Sequence, residues 1–340
     1  MPLPTGISPP DLLPLPVRRA VPATRSPFRP LPSALCAGYC GSCWAFAATN
    51  VLSDRWNVRQ HQVNADTPFE HVPLSTQNVL SCGNQYFGVG TCHGGDDALV
   101  YSYAHEKGIP HDDCSSYIAE DMECSSTLIG RNQTSDQEAR PECYSCDEKA
   151  RCWAIASHKR LYSGEPYTIT GEQNMMHDIF FHGPITCAIM ATDKMEHEFG
   201  PGCLMAPNPG VVTARHGTGC MVGTFQEDTN DLDARINHVV EVFGWGVDAD
   251  NNTYWKLRNS WGSAWGYAGT MDIVKDSNKG PLGTGNNLIE TQCGAAHVND
   301  FSFAKTNPGP GAYEARMAKT GLAATLPAVG SAPADAAQPL

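Results

Sequence analysis

The 340-residue sequence predicts an α+β protein of two lobes, and three observations carry that prediction. Helical spacing of apolar residues is concentrated in the first third of the chain. β-branched and aromatic runs bounded by Gly, Asn and Asp dominate after Gly183. Helices early and strands late form segregated layers rather than alternating βαβ units. Third, a cysteine-dense stretch between Asp113 and Cys152 separates the two textures, and 14 cysteines in one chain point to an oxidising compartment. With 41% hydrophobic and 17% charged residues, the chain can bury a substantial core.

Each element follows from its residues. Positions 1–38 are dense in Pro, Leu, Ala and Arg with no usable period, so the segment is expected to be unstructured, and its origin is expected to be translated non-coding sequence. From Ser42 to Arg59, Trp44, Ala47, Ala48, Val51, Leu52 and Trp56 recur at three and four, the spacing of a buried helical stripe, with Ser42 placed to cap it. Two shorter helical patterns, 75–81 and 95–107, flank the loop CGNQYFGVGTCHGG. Strand texture then appears in GPITCAIMAT (183–192), NHVVEVFGWGVD (237–248), TYWKLRNSW (253–261) and GTMDIV (269–274). These patterns place a mainly helical lobe at 39–165 and a β-rich lobe at 166–298, with an irregular insertion at about 200–235 and a disordered tail at 299–340.

Charge and length exclude several function classes. A net charge of −13 without basic clusters argues against nucleic acid as a partner. No run approaches the ~18 apolar residues of a membrane span, and the opening MPLPTGISPP lacks the features of a secretory signal. The sequons at Asn132 and Asn251 are compatible with secretory passage.

The chemistry centres on Cys43. A thiol in the first turn of a helix feels the partial positive charge of unpaired amides, which favours the thiolate nucleophile. An imidazole lowers the barrier further by taking the proton. His238, at the start of a strand run, could hold it rigidly; Asn259 could accept the other ring N–H, and Trp261 could shield that bond from water. Two other uses of the cysteines remain open on spacing alone. Cys40-Gly-Ser-Cys43 has the spacing of a thiol oxidoreductase, though without a βαβ setting, and Cys143, Cys146 and Cys152 have zinc-like spacing.

CGSCW, NHVV followed by GWG, and NSWGSAWG together resemble the papain family of cysteine proteases. Longer stretches, among them YCGSCWAFAATNVLSDRWNV and YWKLRNSWGSAWG, are similar to the cathepsin X (cathepsin Z) group of that family, from about Tyr39 to about Cys293. The resemblance implies a two-lobed papain-like fold, with a helical left lobe, a β-barrel-like right lobe and the active-site cleft between them. It implies peptide hydrolysis through an acyl-enzyme, with carboxypeptidase specificity. Cys43 would attack the carbonyl and its backbone N–H would donate to the oxyanion; His238 would protonate the leaving amine, and Asn259 and Trp261 would support it. Gly94 and Gly95 would pair with substrate backbone. The implied disulfides are Cys40–Cys92, Cys82–Cys124, Cys114–Cys143, Cys146–Cys152 and Cys187–Cys293, leaving Cys36, Cys203 and Cys220 unassigned. Also implied are a monomer acting on peptides or proteins, no cofactor or metal, and a lysosomal, vacuolar or secreted location.

The sequence departs from the family at two points. The Gln that serves as second oxyanion donor, five or six residues before the nucleophile, is replaced by Gly38 and Ala37, and no His precedes His61 to bind a substrate carboxylate. These departures keep a second reading open, a catalytically impaired papain-fold binding protein.

Overall fold

The computed structural model describes residues 40–70, 72–125, 139–148, 152–199, 225, 236–247, 253–275 and 286–303. Expectations for 1–38, for most of 200–235, for the tail beyond 303, for both sequons and for Cys36, Cys203 and Cys220 lie outside the described residues.

The first periodic run forms α1 (Cys43–Val63), one turn longer than its apolar spacing predicts. α2 (Thr76–Asn78) and α3 (Asn84–Phe87) are joined by a π-helical turn, Val79–Gly83. A glycine-rich hairpin of β1 (Gly90–Thr91) and β2 (Gly94–Gly95) leads to α4 (Asp97–Glu106), whose first turn is capped by Asp96 accepting from the Ala98 amide at 2.8 Å. β3 (Ile109–Pro110) follows. Two small pairs, β4 (Glu123–Ser125) with β5 (Ala139–Pro141) and β6 (Tyr144–Cys146) with β7 (Cys152–Ala154), occupy the cysteine-dense stretch. Then come β8 (Arg160–Ile169), α5 (Glu172–His182), β9 (Ile185–Ile189), α6 (Asp193–His197), β10 (His238–Val247), β11 (Thr253–Arg258), β12 (Thr270–Val274) and β13 (Cys293–Ser302).

Seven strands build one antiparallel sheet in the order β12-β11-β10-β9-β13-β8-β3. The sheet is open, with β12 and β3 at its edges, where the resemblance implies a barrel-like lobe. β8 spans the 165/166 lobe boundary drawn from texture, and β13 runs past 299 into the expected tail. Both strands lack clean alternation: β8 carries Gly164, Glu165 and Pro166, and its pairing with β13 shifts register between Ala296 and Phe301.

Two apolar cores result. One surrounds α1, α4 and the π turn, with Trp44, Val51, Leu52, Leu80, Tyr103 and Ile109 buried. The other lies against the sheet around Met175, Ile185, Val242, Trp255, Leu257 and Met271. Because α1 packs against α4 on one side and β10 and β13 on the other, it is buried almost all round rather than along one stripe. Its buried polar residues are therefore paired. Asn57 bonds both backbone groups of Glu70 at 2.8 and 2.9 Å, and Arg55 Nε donates to the Pro184 carbonyl at 2.6 Å while its Nη2 pairs with Asp178. Arg258 on β11 pairs with Asp54 of α1 at 2.6 Å and with buried Glu241 of β10 at 2.5 Å, which locks α1 onto the sheet. Among the described residues no helix is long and apolar enough to cross a membrane.

Candidate active site

Cys43 opens α1, and three contacts fix how the chain enters that helix. Cys40 is disulfide-bonded to Cys92, the Gly41 amide donates to the Cys92 carbonyl at 2.7 Å, and Trp44 Nε1 donates to the Gly41 carbonyl at 3.1 Å. A side chain at Gly41 would come within 2.9 Å of the Cys92 oxygen, so the close crossing excludes a Cβ. Ser42 stands at the N-cap position but does not cap. Its Oγ is 2.7 Å from the Tyr117 hydroxyl instead, and the Ala45 and Phe46 amides both donate to the Ser42 carbonyl at 3.0 Å. The uncapped end leaves the Cys43 and Trp44 amides facing the thiol. Burial pushes the Cys43 thiol above its ordinary value, while the amides of Val239, Trp44 and Cys43 pull towards the thiolate.

His238 begins β10, opposite Ile189 of β9. The preceding residue anchors it: Asn237 accepts from the Ala191 amide at 2.7 Å and donates to the Ala191 carbonyl at 3.0 Å. His238 Nε2 lies 2.8 Å from Asn259 Oδ1, and the Ser260 amide donates to the same Oδ1 at 2.7 Å. A backbone N–H can only donate, so the shared atom is the amide oxygen. His238 Nε2 must therefore carry its hydrogen, which leaves Nδ1 as the ring's free base. Trp261 stacks on the imidazole with centroids 4.7 Å apart and meets Trp265 edge-on at 5.1 Å. Burial pushes the His238 imidazolium down to about 4, opposed by the bond to Asn259, so the ring is neutral near pH 7.

The two elements face each other across a cleft of about 220 Å³. Its lining combines Cys40, Gly41, Ser42, Cys43, Phe46 and Tyr117 from the earlier, helical part of the chain with Ala191, Glu196, Asn237, His238, Ser260 and Trp261 from the strand-rich part. This volume is below the ~300–1,000 Å³ of drug-sized ligand sites, and suits one or two residues of an extended chain. A thiol under helix amides opposite an imidazole with a free Nδ1 can pass its proton to that nitrogen and attack an electrophilic carbon.

The other expected residues lie elsewhere. Gly94 and Gly95 are exposed on the β1–β2 hairpin, outside the cleft lining, and Gly95 packs so closely that a Cβ would come within 2.4 Å of the Trp44 ring. Disulfides join Cys82 to Cys124, Cys114 to Cys143, Cys146 to Cys152 and Cys187 to Cys293. The zinc-like spacing of Cys143, Cys146 and Cys152 is thus used in disulfides, which offer no thiolate ligand. Cys40 is tied to Cys92 and Cys43 is free, so the Cys40–Cys43 spacing does not form a redox pair.

Residues 32–297 match the family model for papain family cysteine proteases. The chain belongs to the papain family. It is 34% identical over 257 residues to cathepsin Z of Onchocerca volvulus, covering 75% of this chain and 68% of that protein. It is 27% identical to cathepsin B-like protease 1 of Arabidopsis thaliana over 71% of this chain, spanning about half of that relative's length at 53%. Among solved structures it is similar in fold to procathepsin B S9 from Trypanosoma congolense, with a TM-score of 0.50, 20% identity and 81% and 79% of the two chains covered. The proform of the ragweed pollen cysteine protease Amb a 11 matches with a TM-score of 0.50 and 18% identity, over 76% of this chain and 60% of that one.

Asn237, Tyr117 and Glu196 are among the residues of this papain-family cleft that escape sequence reasoning. Asn237 is adjacent to His238 in NHVV and could have been singled out from that position. Tyr117 and Glu196 lie in irregular or weakly patterned sequence, and only the fold carries them to the cleft.

Proposed function

We propose that this papain-family chain hydrolyses peptide bonds through Cys43, His238 and Asn259. The observation that supports it most strongly is the tautomer imposed on His238: its Nε2–H is held by Asn259 Oδ1 at 2.8 Å, beneath the Trp261 ring, leaving Nδ1 basic. Cys43 Sγ gives its proton to Nδ1 as sulfur attacks the substrate carbonyl carbon. The carbonyl oxygen becomes an oxyanion facing the Cys43 N–H. As it collapses, the C–N bond breaks and His238 returns the proton to the departing amine. Water, deprotonated by His238, then cleaves the thioester and frees the acid and the Cys43 thiol.

The finer reading is a carboxypeptidase of the cathepsin X kind, supported by the 34% identity to a cathepsin Z. The disulfides suit a lysosomal, vacuolar or secreted setting. Ala37 and Gly38 at the oxyanion Gln positions predict turnover about a hundredfold to a thousandfold below that of relatives with both donors. Mass-spectrometric sampling of a decapeptide digest tests the whole reading. Loss of C-terminal residues one at a time, abolished by Cys43→Ala, supports it. Internal cleavage alone removes the carboxypeptidase reading, and no cleavage removes the peptidase reading in favour of a binding protein.

A further inference from the structure

Resting on the peptidase reading, we infer that Glu196 selects substrates with a cationic side chain on the departing side of the scissile bond. Among the described residues that line the cleft, Glu196 is the only carboxylate, and none is Lys or Arg. Its position is set by the fold. Met195 beside it is fully buried, its carbonyl accepts from Trp265 Nε1 at 3.1 Å, and Thr192 Oγ1 accepts from the Met195 amide at 3.3 Å. α6 is therefore pinned to the sheet lobe while Glu196 remains exposed to solvent and substrate. Asp193 adds negative charge beside it, and the ligand atoms of Asp193, Glu196 and His197 lie within 4.8 Å of one another.

The side of the cleft follows from the chemistry. The carbonyl oxygen of the substrate faces the amides of α1. The departing amine receives its proton from His238, so the departing segment runs along the wall that carries His238. Glu196 belongs to that side: its neighbour Met195 accepts from Trp265, and Trp265 meets the Trp261 ring that stacks on His238. A Lys or Arg just beyond the scissile bond thus meets a carboxylate, and an acidic residue there meets repulsion. For a solvent-exposed pair, attraction and repulsion are each worth up to several-fold, giving a combined preference on the order of tenfold.

The test uses the full chain and three peptides identical except for Lys, Gln or Glu at the residue after the scissile bond. The expected kcat/KM order for the wild type is Lys, Gln, Glu, with a Lys-to-Glu ratio of about tenfold that shrinks in high salt. Glu196→Gln is expected to bring the ratio near unity and Glu196→Lys to invert it. Cleavage of all three peptides at similar rates by the wild type, or a ratio unchanged by both substitutions, overturns the role of Glu196 and leaves the peptidase reading standing. Absence of cleavage of every peptide overturns both.

Discussion

Replacing Asn259 with Ala isolates the contact that sets the protonation of His238. Three features of the structure fix the size of the effect. Asn259 Oδ1 accepts from His238 Nε2 at 2.8 Å, His238 is 6% exposed, and Asn259 Nδ2 is buried with no partner among the described residues. Removing Nδ2 therefore costs nothing, and the loss is that of the oxygen. During the reaction His238 becomes an imidazolium, so the bond turns from neutral to charge-assisted, and such bonds contribute about 1.5–3 kcal/mol. The missing acceptor also lets the proton move to Nδ1, the nitrogen that has to take the Cys43 proton, and so blocks proton uptake. The expected result is a fall in kcat/KM of about tenfold to a hundredfold, with KM changed little, because the bond strengthens as charge develops. Stability should fall by about 1 kcal/mol, since the Ser260 amide also loses an acceptor. The assay is steady-state hydrolysis of a fluorogenic peptide at pH 6, with a thermal melt to show that the variant is folded. A folded variant with kcat/KM within twofold of the wild type refutes the assignment of Asn259.

Three further outcomes test the buried histidines, a buried ion pair and a close backbone approach. His182 and His238 are both pushed down to about 4, mainly by burial, from an unfolded value of 6.5. Below pH 6.5 the unfolded chain gains protons that the folded one refuses, so stability should fall from pH 6.5 to pH 4, at up to about 1.4 kcal/mol per pH unit for each histidine. Urea titrations across that range should show His182→Gln with the shallower slope. Asp178→Ala strips buried Arg55 of its carboxylate partner and should cost about 3–5 kcal/mol in denaturant titration, much of it recovered by Arg55→Met with Asp178→Leu. Gly95→Ala drives a methyl to within 2.4 Å of the Trp44 ring and 2.6 Å of the Val89 carbonyl, so the melting temperature should fall by the equivalent of about 1–3 kcal/mol.

How much of this was legible depends on where each signal resides. The helix carrying Cys43 shows in the spacing of Trp44, Ala48, Val51 and Leu52, because burial writes a period into a chain. The strand carrying His238 shows in the run Val239 to Val242 for the same reason. By contrast, β8 and β13 are held by pairing with each other across more than a hundred residues, and Gly164, Pro166, Asn299 and Asp300 break their local alternation. Ser42 looked like a helix cap because its residue type suits one. Tyr117, 75 positions away, claims its hydroxyl in the fold, and no local pattern announces that partner. Glu196 and the Asn237–Ala191 bridge are likewise products of the folded cleft. A short acidic stretch reads as a solvated surface until the fold brings Glu196 into the cleft that Cys43 lines.

The reactivity of Cys43 towards an epoxysuccinyl peptide tests the central claim most directly, because it requires a thiol activated by His238 and no particular substrate specificity. Intact-mass and peptide-map measurements on the full chain should show one adduct per chain, on Cys43, with peptide hydrolysis lost in step and the labelling rate at pH 6 falling at least about tenfold in His238→Ala. Labelling absent from Cys43, or proceeding at the same rate without His238, contradicts the account.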